Sequence, residues 1–207
     1  ENDTGRTGGV AAYTSGATIA SSYNAGTLTG GKFMAGVVGY CGGSTTVTDC
    51  YNIGTLIGSD SVEEDSYTFA QMAGIASNPG SSAVISNCYN AGALTNTTKY
   101  SRVGAILSAR GDATVTNCYY LTVDGLKAVG NGLSDGCTVV TAEELASSEM
   151  PGKLGEGYKA NTGCGNVAPL LTWQAIPEHS FNAVASDVER TPATCTEAAP
   201  YYVKCDV

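Results

Sequence analysis

One histidine, His179, is all that the 207-residue chain offers for imidazole chemistry. A His-Glu-x-x-His zinc peptidase site cannot be built from it. A serine or cysteine nucleophile would have to take its base from the same residue, in an irregular stretch, which argues against nucleophilic hydrolysis. His179, Cys195 and Cys205 make a partial zinc set with no visible fourth ligand, so no metal is assigned. The carboxylates Asp60, Glu63, Glu64 and Asp65 cluster in "SDSVEEDSYTF" at 59–69. That run reads as a solvated loop before it reads as a calcium site or a glycosidase pair. "ARGDAT" holds Arg110, Gly111 and Asp112, an integrin-type tripeptide on an expected turn, where chance remains the better explanation. Tyr23, Tyr51, Tyr89 and Tyr119 recur with Cys50, Cys88 and Cys118 in one phrase, so their chemistry depends on what the phrase builds.

The bulk numbers narrow the classes. A net charge of −9 argues against nucleic acid, because phosphate binding needs a basic stripe. There is no run of about 18 apolar residues, so no membrane-spanning helix is expected. The polar start "ENDTGRTGG" lacks the features of a leader, and the chain reads as a mature or excised piece of something longer. Twenty-seven glycines with only 14% charged residues suit close-packed turns and flat strands better than amphipathic helices.

The phrase itself is a repeat. "ATIASSYNAGTLTG" (17–30), "TTVTDCYNIGTLIG" (45–58), "AVISNCYNAGALTN" (83–96) and "ATVTNCYYLTVDGL" (113–126) align on their tyrosines at intervals of 28, 38 and 30. A second landmark precedes each: "TGGVAAY", "MAGVVGY", "MAGIASN" and "RVGAILS", with Gly9, Gly36, Gly74 and Gly104 at matching intervals of 27, 38 and 30. The long interval holds the 59–69 insertion. A period near 30 in short β-branched segments predicts an all-β, parallel β-solenoid of about four coils over residues 1–126. Coils stack at the strand spacing, so equivalent residues form columns. Ile19, Val47, Ile85 and Val115 are expected to form an inward aliphatic column, and Leu28, Leu56 and Leu94 another. Ser22, Cys50, Cys88 and Cys118 are expected to form a ladder of small side chains, the cysteines as free thiols. Asn24, Asn52 and Asn90 are expected to stack their amides at a bend. Gly26, Gly54 and Gly92 are expected to supply turn conformations closed to other residues. The tyrosines would then form an outer stripe, either stacking to stabilise the sheet or binding sugar rings. The "TVT" pairs at 46–48 and 114–116 suggest an ice-binding threonine array, which Ala20 and Val84 interrupt.

These two motifs in register, over about residues 8–121, resemble the GLUG repeat of bacterial surface proteins. The first repeat departs with Ser22 for Cys, and the fourth with Tyr120 for Asn. The resemblance implies an extracellular module of large secreted proteins, including immunoglobulin A metallopeptidases, with no catalysis of its own.

Beyond residue 126 the repeat stops. "TAEELASSEMPGKLGEGY" opens with a capping box at Thr141 and Glu144, predicting a short helix over 142–149 that Pro151 ends or restarts. "NVAPLLTWQ" predicts a strand. Residues 127–176 are expected to cap the last coil, as the closing segment of GLUG arrays does. Residues 177–207 form an irregular tail that resembles the start of a short His/Cys-containing repeat of Gram-positive gut bacterial surface proteins. Cys137 with Cys164, and Cys195 with Cys205, are the disulfide candidates.

The functional expectation is a non-catalytic structural or binding module, a stalk or adhesin scaffold, on a secreted or cell-surface bacterial protein. It needs no cofactor and inserts into no membrane. Its partners are glycans or host surface proteins, met through the tyrosines or the Arg110 loop. A glycan- or host-protein-binding accessory module of a large secreted enzyme is the alternative, and a polysaccharide-active β-helix enzyme the third reading.

Overall fold

A computed structural model describes residues 5–60, 69–162 and 168–176. Strands of two to four residues, mainly in parallel sheets, account for most of the regular structure. The shortness follows from the sequence: Gly, Asn or Asp closes each β-branched run after a few residues.

Each repeat lends one strand to each of several sheets. Arg6–Gly8, Phe33–Ala35, Gln71–Ala73 and Arg102–Gly104 form the landmark sheet. Thr18–Ala20, Thr46–Thr48, Val84–Ser86 and Thr114–Thr116 form the aliphatic sheet, with Ile19, Val47, Ile85 and Val115 in register. Tyr23–Asn24, Tyr51–Asn52, Tyr89–Asn90 and Cys118–Leu121 form the tyrosine sheet. Leu28–Thr29, Leu56–Ile57 and Leu94–Thr95 form a fourth, with the three leucines aligned. The expected columns are therefore present, and Cys50 and Cys88 precede adjacent strands.

The landmark register differs in one place. Gly104 pairs with Ala73, so Ala105, not Gly104, follows Gly9, Gly36 and Gly74. The main core holds Val37, Val47, Ile75, Ile85, Ile106 and Val115 with the buried cysteines.

Parallel stacking continues past residue 126. Val129–Asn131 pairs with Leu107–Ala109, and Cys137–Val140 pairs with Cys118–Leu121. Residues 129–140 thus cover the last repeat. Two single-turn helices follow, α1 (Ala142–Leu145) and α2 (Met150–Leu154). The capping box forms as expected: the Glu144 amide donates to Thr141 Oγ1 at 3.1 Å, and the Thr141 amide to Glu144 Oε2 at 2.8 Å. The expected single helix is two because Pro151 sits in the first turn of α2, where its missing N–H costs nothing. Tyr158–Lys159 then pairs antiparallel with Leu170–Leu171. This part does not cap an end of the stack. It runs back along the tyrosine sheet, where Leu145, Met150, Leu154 and Leu171 pack on Tyr51 and Tyr89. Its apolar side chains find cover against the phenol rings, which offer a large apolar area.

Candidate functional site

The site with the densest concentration of repeated polar and aromatic residues is the corner where the aliphatic sheet turns into the tyrosine sheet. Four residues there, Ser21, Asp49, Asn87 and Asn117, have φ between 46° and 53°. This left-handed region favours short polar side chains. The sequence reading placed the special conformations at Gly26, Gly54 and Gly92, and none of those has a positive φ. At Gly54 and Gly92 the constraint is space: a Cβ at Gly54 would lie 2.1 Å from Gly26 O, and one at Gly92 would lie 2.1 Å from Gly54 O, whereas one at Gly26 would meet nothing closer than 3.6 Å. The left-handed residues also form a ladder that the sequence reading missed. Asn87 Nδ2 donates to Asp49 Oδ1 at 3.2 Å and Asn117 Nδ2 to Asn87 Oδ1 at 3.3 Å. Its signal was the Ser-Asp-Asn-Asn series one place before the cysteine column.

The next residue builds the thiol ladder. Cys50, Cys88 and Cys118 donate to the carbonyl two residues back (Thr48, Ser86 and Thr116) at 3.1, 3.1 and 3.4 Å, as Ser22 does to Ala20 at 2.8 Å. All three cysteines are fully buried and free. Burial, with help from neighbouring thiols, pushes Cys88 well above the ordinary thiol value. A thiol so held is neither a good nucleophile nor a ready metal ligand. Among the described residues, no group of three or more His, Cys, Asp or Glu could hold a metal ion.

The expected bridge from Cys137 to Cys164 involves a residue, Cys164, outside the described residues. Cys137 is a free thiol in register with Cys118 at the edge of the core, and burial raises it to about 12. Cys164, Cys195, Cys205, His179, Glu63, Glu64 and Asp65 lie outside the described residues. Cys41 is buried in the same core, raised by burial to about 11.

The asparagine ladder is complete. Asn24 Nδ2 donates to Asn52 Oδ1 at 2.8 Å, and Asn52 Nδ2 to Asn90 Oδ1 at 2.7 Å. Each side chain also accepts from the amide of Gly26, Gly54 or Gly92 and donates to the carbonyl of the same glycine. Such amides rigidify a core only when fully paired.

The tyrosines stack but do not form an outer binding stripe. Ring centroids are 4.9 Å apart for Tyr23 and Tyr51, and 4.7 Å for Tyr51 and Tyr89, at interplanar angles of 15° and 5°. Tyr119 continues the register and packs beside them. Tyr51 and Tyr89 are only 1% exposed because the C-terminal segment covers them. Tyr51 Oη donates to Gln174 Oε1 at 2.9 Å and Tyr89 Oη to Pro169 O at 2.7 Å. Burial raises Tyr51 to about 12 and Tyr89 well above the usual phenol value. Tyr158 reaches the other way, donating to Cys50 O at 3.1 Å and Asn87 O at 2.9 Å. Trp173 Nε1 donates to Ser21 O at 3.1 Å. Among the ring positions, Tyr23 (38%) and Trp173 (62%) stay exposed, with centroids 6.1 Å apart. An apolar cleft of about 300 Å³ remains beside the covered rings, lined by Ile53, Ala91, Leu121, Leu145 and Leu170.

The Arg110 loop is a turn, with Gly111 and Asp112 exposed, but the arginine is spent internally. Its guanidinium donates to the carbonyls of Ala113, Leu133 and Asp135 at 3.2, 3.3 and 2.7 Å. The three residues therefore do not present a free cation beside a free carboxylate, as integrin-type recognition requires. The threonine array is likewise broken, since Val84 sits between Thr46 and Thr114.

No protein-family model, curated protein or solved structure matches the chain.

Proposed function

We propose that the chain is a GLUG-like parallel β-solenoid of four repeat coils, serving as a non-catalytic structural and binding module of a secreted or cell-surface bacterial protein. The observation that carries this reading is the asparagine ladder. The repeated asparagines are spent on one another and on their own turns, with buried Asn52 making two bonds to its neighbours and two to its own turn. A stack built this way is stiff along its axis and leaves its loops to vary, which suits a stalk or scaffold. The thiols and phenols with raised pKa values are packed groups, and the reading assigns them no catalytic step. The experiment is surface labelling of intact producing cells with an antibody to this chain, beside a reducing-end assay on bacterial and host polysaccharides. Labelling without cleavage is expected. Labelling only after lysis, or release of reducing ends, would overturn it.

A second reading, glycan binding, is favoured by one observation: the exposed Tyr23–Trp173 pair. Trp173 is the only tryptophan, so its fluorescence reports the site directly. Saturable change with neutral oligosaccharides, lost in Tyr23→Ala, would support this reading. An unchanged spectrum across the series would remove it.

A further inference from the structure

The described chain enters and leaves the stack at the same end. It enters through Arg6–Gly8, the first-coil strand of the landmark sheet. After the repeats it reaches the far end, where Cys137–Val140 lies on Cys118–Leu121. It then returns along the tyrosine row. Tyr158 donates to Asn87 O of the third coil and Cys50 O of the second. Pro169 O accepts from Tyr89 of the third coil, Gln174 Oε1 accepts from Tyr51 of the second, and Trp173 Nε1 donates to Ser21 O of the first. Residues 5 and 174 are therefore both anchored on the first two coils, and neither anchorage involves the fourth.

The two anchorages are unequal. The first coil is held to the second by backbone bonds at each of the four sheets: the Gly9 amide to Gly36 O, the Thr46 amide to Ala17 O, the Tyr51 amide to Ser22 O and the Leu28 amide to Thr55 O among them. A pull at residue 5 meets such bonds in close succession, at Gly5, Arg6–Gly8, Gly9, Val10 and Ala11. The returning end is held by side chains. Beyond buried Leu171, its ties to the coils among the described residues are the hydrogen bonds of Trp173 and Gln174 and the tilted ring contact of Trp173 with Tyr23. The turn that carries them is closed on itself: the Gln174 amide donates to Leu171 O at 3.0 Å and the Leu171 amide to Gln174 Oε1 at 2.8 Å. A pull at residue 176 meets this turn first, with a tryptophan that is 62% exposed. Segments held by few buried contacts open before the units they rest on.

We propose that the module is mounted by one end and that Trp173 and Gln174 are the clasp that carries tension there, so that a pull on the parent chain lifts the cover from the tyrosine row and leaves the coils folded. The proposal rests on the reading of the chain as a module of a longer surface protein. It makes that module a projecting scaffold in place of an in-line spacer, because the line of force closes through the first two coils and bypasses the far end. The clasp controls a defined surface. Under the cover Tyr51 and Tyr89 are 1% exposed, with ring centroids 4.7 Å apart. Release of Gln174 and then of Pro169 frees both phenol hydroxyls. It bares a row of stacked rings, and an apolar patch of that kind marks an interaction surface.

The test stretches single molecules of the full chain in optical tweezers, with handles at the N-terminus and at Ile176→azidohomoalanine. Expected is a first opening at low force that releases at most residues 141–176, on the order of 120 Å at full extension. A separate, stronger unfolding of the coils follows. Trp173→Phe and Gln174→Met should each speed the first opening about fivefold, the share of one hydrogen bond. Val129→Ala, in the core at the far end, should lower the melting midpoint and leave the opening rate unchanged. A single rupture that extends the whole chain would overturn the proposal. So would an opening that neither clasp variant speeds, or one that Val129→Ala speeds as much. A chain that extends smoothly, with no strong step for the coils, would instead sink the repeat-stack reading. The location of the parent protein does not enter this measurement.

Discussion

Gly36 and Asn52 face each other inside the second repeat with no room for a methyl group between them. A Cβ on Gly36 would lie 2.4 Å from Asn52 Cγ and 2.3 Å from Gly74 O. Gly74 stands in the same relation to Asn90, and Gly9 to Asn24. This contact is why the two sequence landmarks travel together. Where the ladder residue becomes Tyr120, the facing position is Ala105. Gly36→Ala is therefore expected to cost about 3 kcal/mol, the upper range for overpacking. Ala105→Gly should cost only about 1 kcal/mol. Urea denaturation midpoints of the two variants check the difference, and equal losses would contradict it.

Asn52 is the middle rung of its ladder and has no exposed surface. Asn52→Leu would leave the Gly54 amide and carbonyl, Asn24 Nδ2 and Asn90 Oδ1 each short of a partner. A loss of about 3 kcal/mol is expected, since each stranded buried group costs about 1–3 kcal/mol and the backbone recovers part of it. Asn24→Leu, at a rung with one ladder neighbour among the described residues, should cost less than half as much. Chemical denaturation of both variants decides whether the ladder acts as a connected unit.

Tyr158 ties the C-terminal segment to the corner through the carbonyls of Cys50 and Asn87. Tyr158→Phe keeps the ring and removes both bonds, so about 1–2 kcal/mol of local stability should go. The loss should appear as faster hydrogen exchange and proteolysis in 141–174, with the repeat strands still protected. Uniform loosening of the whole chain would show instead that segment and stack unfold together.

Alkaline pH should destabilise the chain, and the direction follows from the buried acids. Cys41, Cys137 and Tyr51 are raised by burial to about 11, 12 and 12, from 9.0, 9.0 and 10.0. Above pH 9 the unfolded chain releases these protons while the folded chain keeps them, so the unfolded state binds fewer protons and stability falls. The stabilisation is complete below pH 9 and is lost progressively up to about pH 12. Melting midpoints measured from pH 8 to 12 should decline over this window, and Tyr51→Phe should flatten the part above pH 10. A flat profile for the unmodified chain would mean that these groups are solvated.

The repeat period, the aliphatic and leucine columns, the thiol ladder and the asparagine ladder were all legible in the sequence. They rest on local rules: strand alternation, the size of Cys and Ser, and the need of a stacked amide for a neighbour one period away. The off-by-one at Gly104 shows the limit of such alignment. Glycine was matched to glycine, whereas the strand register puts Ala105 after Gly74, at the level where Tyr120 replaces the ladder asparagine. Gly54 and Gly92 show another, because a glycine needed for clearance reads the same in sequence as one needed for positive φ. What the tertiary structure alone decided is the fate of the tyrosines and of Arg110. A stripe alternating with buried cysteines should face outward, and so it does, but outward from the sheet is not outward to solvent. Residues 141–174 lie far away in sequence and carry no pattern that names the face they cover. The row of phenol rings is an apolar surface that those residues pack on, and covering it turned a candidate binding stripe into a second core.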